Sequence, residues 1–307
     1  MPCWEKKTTS DKDGTSFMKS IAFIFLLYFS SFCYAQSGYE LFILDITFSG
    51  KQIELSNPIN ISNHQGYDNQ PFFSPDLPLV YFSSMTDSGQ TDIKSYNYLT
   101  KETSYFTSTP ESEFSPTVTP DRQYLSCISQ TSSGDQNLLQ FPLKGGLPIT
   151  LINSMKVGYH CWIDNEKLIL FILDDTLNNS LHSYNLKSKG DFTFSNKPGR
   201  CLSKIPGEEA VAFVDKSNPN EFVIKRFDLK TSAVSTLAPA LNKHEDFVWT
   251  KTGLLMMSDG VSVFSYNPSN QEGWKQTLLS DPSQKIKGIT RIALNADNTK
   301  IVLVVSE

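Results

Sequence analysis

A turn followed by a short apolar strand recurs six times along this chain, and that repeat constrains the fold more than any other feature. The copies are FFSPDLPLVYFSS (72–84), TVTPDRQYLSCIS (117–129), CWIDNEKLILFIL (161–173), SKIPGEEAVAFVD (203–215), FVWTKTGLLMMSD (247–259) and IALNADNTKIVLVVS (292–306). The apolar runs start 45, 44, 42, 44 and 47 residues apart, at Leu79, Tyr124, Leu168, Ala210, Leu254 and Ile301. Short runs rich in Val, Ile, Phe and Tyr, bounded by turn residues, indicate strands rather than helices. A four-stranded unit with a period of about 40–50 residues predicts a β-propeller.

The two ends of the repeat region complement each other. Residues 39–62 match the third and fourth strands of the unit, whereas residues 289–306 match its first and second strands. Together they predict one blade built from both ends of the chain, which with five whole blades gives six. Sharing a blade closes the ring and removes free sheet edges. We therefore expect an all-β, six-bladed propeller of four-stranded blades as a single domain over residues 36–307.

The segment ahead of the repeats has the pattern of a secretory signal. From Met18 it reads MKSIAFIFLLYFSSFCYAQ, with one Lys, an apolar run and small residues before Gln36. The apolar run is too short to span a bilayer, so a signal peptide over 18–35 with cleavage after Ala35 is favoured over a membrane anchor or a buried helix. Residues 1–17 are expected to be a misassigned or disordered extension. The mature protein is then periplasmic or secreted.

Composition and motifs exclude several function classes. The formal net charge is −5 and no cluster of Lys and Arg occurs, so no nucleic-acid partner is expected. No Walker, dinucleotide-binding, HExxH or GxSxG pattern is present, and the cysteines and histidines lack metal-site spacing. We therefore expect no cofactor, no metal, no catalytic set of residues and no membrane span.

Two of the repeats carry a recognisable turn. Ser74-Pro75-Asp76 and Thr119-Pro120-Asp121 precede apolar strands and resemble the Ser-Pro-Asp-Gly turn of TolB-like, WD-repeat-like propeller proteins. The Gly of that turn is replaced by Leu77 and Arg122, and 295–298 is a weaker third copy. The resemblance spans residues 39–306 and implies a propeller fold and an envelope or extracellular setting. TolB proteins carry an α/β domain ahead of the propeller; here about three residues separate the predicted cleavage site from the first strand, so that domain is not expected.

The mouth of the central channel is the candidate site, because the first strand of each blade lines the channel and polar groups converge there. Alignment of the repeats on Phe73 places Asp68, Glu113, Val157, Arg200, His244 and Ile289 at one position, and the next two positions add Asn69, Gln70, Tyr159, Glu245, Asp246 and Arg291. The candidate ligand-binding residues are Asp68, Glu113, Arg200, His244, Glu245 and Arg291. Arg200 and Arg291 are expected to face solvent and to anchor the ligand. The alternative is a ring of solvated strand ends without a ligand.

His160 is a further candidate, as a metal ligand together with His244 or as a hydrogen-bonded channel histidine. The function predicted overall is an exported binding or scaffold module that binds a protein, peptide or glycan at the channel mouth or side. The alternatives are a propeller lyase or hydrolase that acts on a glycan, lactone or peptide from channel residues, and a structural accessory subunit.

Overall fold

The computed structural model describes residues 38–270 and 272–306, and these residues form 25 β-strands in six sheets. The predicted extension 1–17 and signal peptide 18–35 lie outside the described residues. In chain order the strands are β1 (Tyr39–Ser49), β2 (Gln52–Asn60), β3 (Asp68–Phe73), β4 (Leu79–Met85), β5 (Thr91–Asn97), β6 (Glu102–Tyr105), β7 (Ser112–Val118), β8 (Tyr124–Gln130), β9 (Gln136–Pro142), β10 (Ile149–Ile152), β11 (Val157–Trp162), β12 (Lys167–Ile172), β13 (Ser180–Asn185), β14 (Asp191–Asn196), β15 (Pro198–Lys204), β16 (Ala210–Asp215), β17 (Val223–Asp228), β18 (Val234–Pro239), β19 (Phe247–Trp249), β20 (Leu255–Ser258), β21 (Val263–Tyr266), β22 (Lys275–Gln276), β23 (Leu278–Leu279), β24 (Ile289–Leu294) and β25 (Lys300–Ser306).

The sheets are the blades of a six-bladed β-propeller. Strands β3–β6, β7–β10, β11–β14, β15–β18 and β19–β22 form blades 1 to 5, each an antiparallel sheet in chain order. Blade 6 consists of β24, β25, β1 and β2, and the short strand β23 adds to its outer edge parallel to β2. The first strand of each blade contacts the first strand of the next blade from blade 6 through blade 1 to blade 2, and from blade 3 through blades 4 and 5 to blade 6. Between blades 2 and 3, β11 contacts β8 and β9. The all-β, six-bladed fold predicted from the repeat is confirmed.

The blade built from both ends of the chain is also confirmed. Strand β1 pairs with β25 from Tyr39 opposite Ser306 to Asp45 opposite Lys300, and β25 pairs with β24 on its other side. Because β25 lies in the middle of the sheet, Ile301 and Leu303 pack towards blade 5, while Val302 packs towards blade 1. All three side chains are fully buried.

The second strands are the most apolar because sheets cover both of their faces. All six residues of β16 are buried, as are five of the seven residues of β4, β8 and β25. This explains the continuous apolar runs of the repeat, where a half-exposed strand would alternate.

The turn before two second strands needs an unusual backbone angle. Arg122 and Asn298 both have φ of 61°, the left-handed region that Gly adopts most easily. Arg122 stands where the TolB-like turn carries Gly, and its backbone N–H donates to Thr119 O at 2.9 Å. The turn is therefore kept although the glycine is not.

The first strands are irregular, and this irregularity positions the site. Their pairing with the second strands shifts between Asn69 and Phe72, and equivalent shifts occur in blades 2, 3 and 6. In blade 4 the shift lies between Pro198 and Leu202, and the first strand has two extra residues there, whereas the other shifted first strands have one. Such β-bulges turn side chains away from the direction that regular alternation would give them.

Candidate functional site

A cavity of about 160 Å³ opens in the channel where the bulges of the first strands converge. It is lined by Gln70, Pro71, Phe72, Ser115, Pro116, Thr117, Tyr159, His160, Arg200, Cys201, Leu202, Asp246, Arg291 and Ile292. These residues come from β3, β7, β11, β15 and β24, and from the residue immediately before β19. All six blades therefore contribute to one cavity.

Asp246 holds two arginines at one side of this cavity. Arg200 donates from Nε to Asp246 Oδ2 at 2.8 Å, and Arg291 donates from Nη1 to Oδ1 at 3.1 Å. Both carboxylate oxygens are thus engaged, and the Asp246 side chain is only 10% exposed. Two positive charges share one negative charge, so this group carries a net charge of about +1 in a chain whose formal net charge is −5.

Arg291 joins three blades across the channel. Besides Asp246 of blade 5, its Nη2 donates to the Tyr159 hydroxyl of blade 3 at 3.1 Å, and its guanidinium lies 5.4 Å from the centre of that Tyr ring. Burial opposes the positive charge, but the Asp246 carboxylate and the tyrosines raise the pKa of Arg291 above its usual value, so the group stays charged. The side chain is 12% exposed, so the expectation that Arg291 faces solvent is wrong.

Arg200 is more accessible and sits in the widest bulge. Its Nη2 donates to Thr290 O at 3.0 Å, and its backbone N–H donates to Glu245 Oε2 at 2.9 Å. Glu245 also forms an ion pair with Lys216 at 2.7 Å, which holds this carboxylate beside the bulge. The Arg200 side chain remains 35% exposed, so a ligand can reach it from the channel.

The structure separates the six candidate residues. Arg200 and Arg291 line the cavity together. Glu245 supports the Arg200 backbone, and His244 is half-buried beside Gly260. Asp68 and Glu113 are fully buried between blades.

The repeat alignment predicted that Arg200 occupies the same position in its blade as Asp68, and the strand pairing shows that this prediction is wrong. Asp68 lies opposite Ser84, and the corresponding residue in blade 4 is Pro198, opposite Asp215. Arg200 lies two residues further on, inside the bulge.

Asp68 and Glu113 occupy the same position in blades 1 and 2, opposite Ser84 and Ser129. Burial raises the pKa of Asp68 to about 6, although His64 Nδ1 lies 3.7 Å from its Oδ2. Burial raises the pKa of Glu113 to about 7, and the nearby Asp92 carboxylate adds to that rise.

A second hydrogen-bonded group surrounds Ser126, beside the cavity. The Trp162 indole N–H donates to Ser126 Oγ at 2.8 Å, Oγ donates to Thr117 O at 3.0 Å, and His160 Nε2 lies 2.7 Å from Oγ. The tautomer of the His160 ring decides which of these two atoms is the donor. Burial lowers the pKa of His160 to about 3, so the ring is neutral. Repeat alignment could not find this group, because Ser126 lies on a second strand.

These groups are not arranged for nucleophilic catalysis. Ser126 is fully buried, so its hydroxyl cannot reach a substrate in the channel as a serine nucleophile must. The Cys201 thiol donates to Phe247 O at 3.3 Å, and burial raises its pKa far above the usual value, so it stays protonated.

Metal ligation and membrane spanning can be assessed for 38–270 and 272–306. In those ranges, no three His, Cys, Asp or Glu side chains come together as a set that could hold a metal ion. The same described residues contain no helix that is long and apolar enough to cross a bilayer.

Solved structures with a similar fold include a TolB protein, a second protein assigned as TolB, and a gluconolactonase. TolB from Acinetobacter baumannii superposes with a TM-score of 0.57 and 13% identity over 87% of this chain, which spans 63% of that TolB chain. A protein from Agrobacterium tumefaciens assigned as TolB gives a TM-score of 0.66 and 11% identity, over 89% of this chain and 99% of the other. A gluconolactonase from Xanthomonas campestris gives a TM-score of 0.61 and 9% identity, over 87% of this chain and 95% of the other.

The chain matches no protein-family model, and comparison with curated proteins gives no match either. At identities this low the structural likeness establishes the fold, which is that of TolB-like six-bladed propellers.

Proposed function

We propose that this protein is an exported binding or scaffold module whose channel cavity binds a carboxylate-bearing group of a protein, peptide or glycan. The observation that carries the proposal is the pair of arginines held on Asp246 at the cavity wall. A guanidinium group offers several N–H donors, which match the oxygens of a carboxylate.

The arrangement supports binding because its geometry exists before any ligand arrives. Asp246, Tyr159 and the Thr290 carbonyl already orient the two guanidinium groups, so binding would order few side chains. The net positive charge at this point favours an anion, and the 35% exposed Arg200 provides the approach from the channel.

The export part of the proposal has separate support. The residues from Met18 to Ala35 have the composition of a cleaved signal peptide. Two solved structures with the same fold are named as TolB, and the turns at 74–76 and 119–121 resemble the turn of that family. These observations support the proposal that the mature protein is periplasmic or secreted.

The test compares Arg200→Gln with the wild type, both as residues 36–307, on an array of peptides and acidic glycans followed by calorimetry of any ligand found. We expect the substitution to weaken binding by about 1.5–3 kcal/mol, the usual value of a hydrogen bond to a charged group. Arg122→Gln is the matched control, because Arg122 is 48% exposed and pairs with Asp76 on a surface turn. Equal binding by the Arg200 variant and the wild type would show that the ligand does not bind in the channel cavity.

A hydrolase or lyase remains the alternative, and the same proteins can test it. One solved structure with this fold is a gluconolactonase, and at 9% identity that likeness concerns the fold alone. Turnover of a lactone or glycan by the wild type, lost in Arg200→Gln, would favour the enzyme over the binding module.

A further inference from the structure

A serine, a histidine and an aspartate are hydrogen-bonded in series on the two outer strands of blade 3. Ser180 Oγ lies 2.9 Å from His182 Nε2, and His182 Nδ1 lies 2.8 Å from Asp191 Oδ1. Thr193 Oγ1 is also near Nε2, but at 3.4 Å it is the more distant hydroxyl. The order of these groups, from hydroxyl through imidazole to carboxylate, is the order that activates a serine as a nucleophile.

Strand pairing explains why the three side chains meet. Ser180 and His182 are two residues apart on β13, so their side chains leave the strand on the same face. On β14, Thr193 lies opposite His182 and Asp191 lies opposite Tyr184, which makes Asp191 the diagonal neighbour of His182. The arrangement is therefore fixed by two paired strands of one blade.

The carboxylate decides which ring nitrogen carries the proton. A carboxylate can only accept a hydrogen bond, so His182 Nδ1 donates to Asp191. In the neutral imidazole, Nε2 then has a free lone pair, and the Ser180 hydroxyl donates to it. Ser180 thus has a base at hydrogen-bond distance from its proton, which is the geometry that general-base catalysis requires.

These groups can be reached from the surface, in contrast to the fully buried Ser126. The Asp191 side chain is 37% exposed, that of His182 is 14% exposed, and Ser180 is half-buried. A small ester can therefore approach the Ser180 hydroxyl from solvent. At such an open site water remains beside the charge that develops on the substrate, so esters with good leaving groups, which need the least stabilisation, are the substrates that fit.

We infer that Ser180 and His182 form a nucleophilic site that takes an acyl group from small, activated carboxylic esters, with Asp191 as the positioning residue of the imidazole. The inference goes beyond the proposed function, because these three residues lie outside the set that lines the channel cavity.

The reaction needs no further reactant than the ester and water. Ser180 Oγ attacks the carbonyl carbon and its proton passes to His182 Nε2; the C–O bond to the leaving alcohol breaks, and the alcohol takes that proton. Water then attacks the acyl group and gives a proton to Nε2. The Oγ–C bond breaks, the carboxylic acid leaves, and the proton returns to Oγ.

An alkyl fluorophosphonate tests the nucleophile directly, because serine attack forms an Oγ–P bond and expels fluoride. We expect the mature protein, residues 36–307, to gain a phosphonyl group that peptide mass spectrometry locates on Ser180. Ser180→Ala should lose this adduct. Ser133→Ala is the matched control and should keep it, because the exposed Ser133 hydroxyl contacts Asp135 and Thr131 rather than a histidine. Thermal melting of each variant verifies that the fold is unchanged.

Hydrolysis of p-nitrophenyl acetate, followed through the nitrophenolate released, measures the turnover. General-base assistance contributes about 10²–10⁴-fold to a rate, so Ser180→Ala and His182→Gln should each lower the rate by at least about a hundredfold. Ser133→Ala should retain the wild-type rate.

Asp191→Asn tests the positioning residue. In ¹⁵N NMR of labelled histidine, the neutral His182 ring of the wild type should carry its proton on Nδ1. The substitution removes the carboxylate that fixes this tautomer, so we expect a mixture of tautomers and a reaction with the fluorophosphonate that is slower by about tenfold or more.

Three results would overturn the inference. The first is a folded wild type that gains no adduct, and the second is equal labelling of the wild type and Ser180→Ala. The third is an adduct on Thr193, which would show that Ser180 is not the nucleophile. An unchanged rate and tautomer in Asp191→Asn would overturn the role of Asp191.

Discussion

Replacing Asp68 by Asn isolates the free energy that this fold loses by burying an ionised carboxyl group. Asp68 is fully buried where blade 6 meets blade 1, and its nearest charged group is His64, whose Nδ1 lies 3.7 Å from Asp68 Oδ2. Its pKa is raised from 3.8 to about 6, first by burial, against the lowering effects of Ser84, His64 and Lys94. Asn has nearly the same shape and stays neutral at every pH.

The sign follows from the proton affinity of the two states. The folded protein binds the Asp68 proton more tightly than the unfolded chain, so low pH favours folding. The extra stability is fully present below about pH 3.8, declines as the pH rises towards 6, and is lost above that value. A pKa unit corresponds to roughly 1.4 kcal/mol, so the whole effect is about 3 kcal/mol.

Urea unfolding at pH 4, 6 and 8 measures the effect. We expect Asp68→Asn to have nearly the stability of the wild type at pH 4 and to exceed it by up to about 3 kcal/mol at pH 8. Asp175→Asn is the control, because that side chain is 91% exposed and should give no comparable trend. A stability difference between Asp68→Asn and the wild type that stays constant from pH 4 to pH 8 would refute the reasoning.

Two further predictions concern the ends of the chain. Deletion of 299–307 removes Ile301, Val302, Leu303 and Val304, all fully buried, at about 1.5–3 kcal/mol each, which approaches the stability of a whole domain; cooperative melting at the full-length temperature would contradict the shared blade. N-terminal sequencing of the exported protein should begin at or near Gln36, and a soluble product that retains 1–17 would show that the signal-peptide interpretation is wrong.

The sequence alone determined the architecture of this protein. A six-fold repeat of apolar second strands specifies six blades, because a strand covered on both faces must be apolar along its whole length. The incomplete units at the two ends specified the blade that closes the ring, and the pairing of β1 with β25 realises it. The polar first strands also indicated where a site would form, and Arg200 and Arg291 do line the cavity there.

Only the tertiary structure decided which of those polar residues meet. Bulges displace the register of the first strands by an amount that differs between blades, so counting along the repeat placed Arg200 level with Asp68 instead of two residues beyond Pro198. A register change of one residue turns a side chain from the channel into the space between blades. This is why Asp246 meets the arginines in the channel, while Asp68 is buried between blades. Strand pairing is a contact between distant parts of the chain, and the repeat spacing carries no record of where a bulge adds a residue.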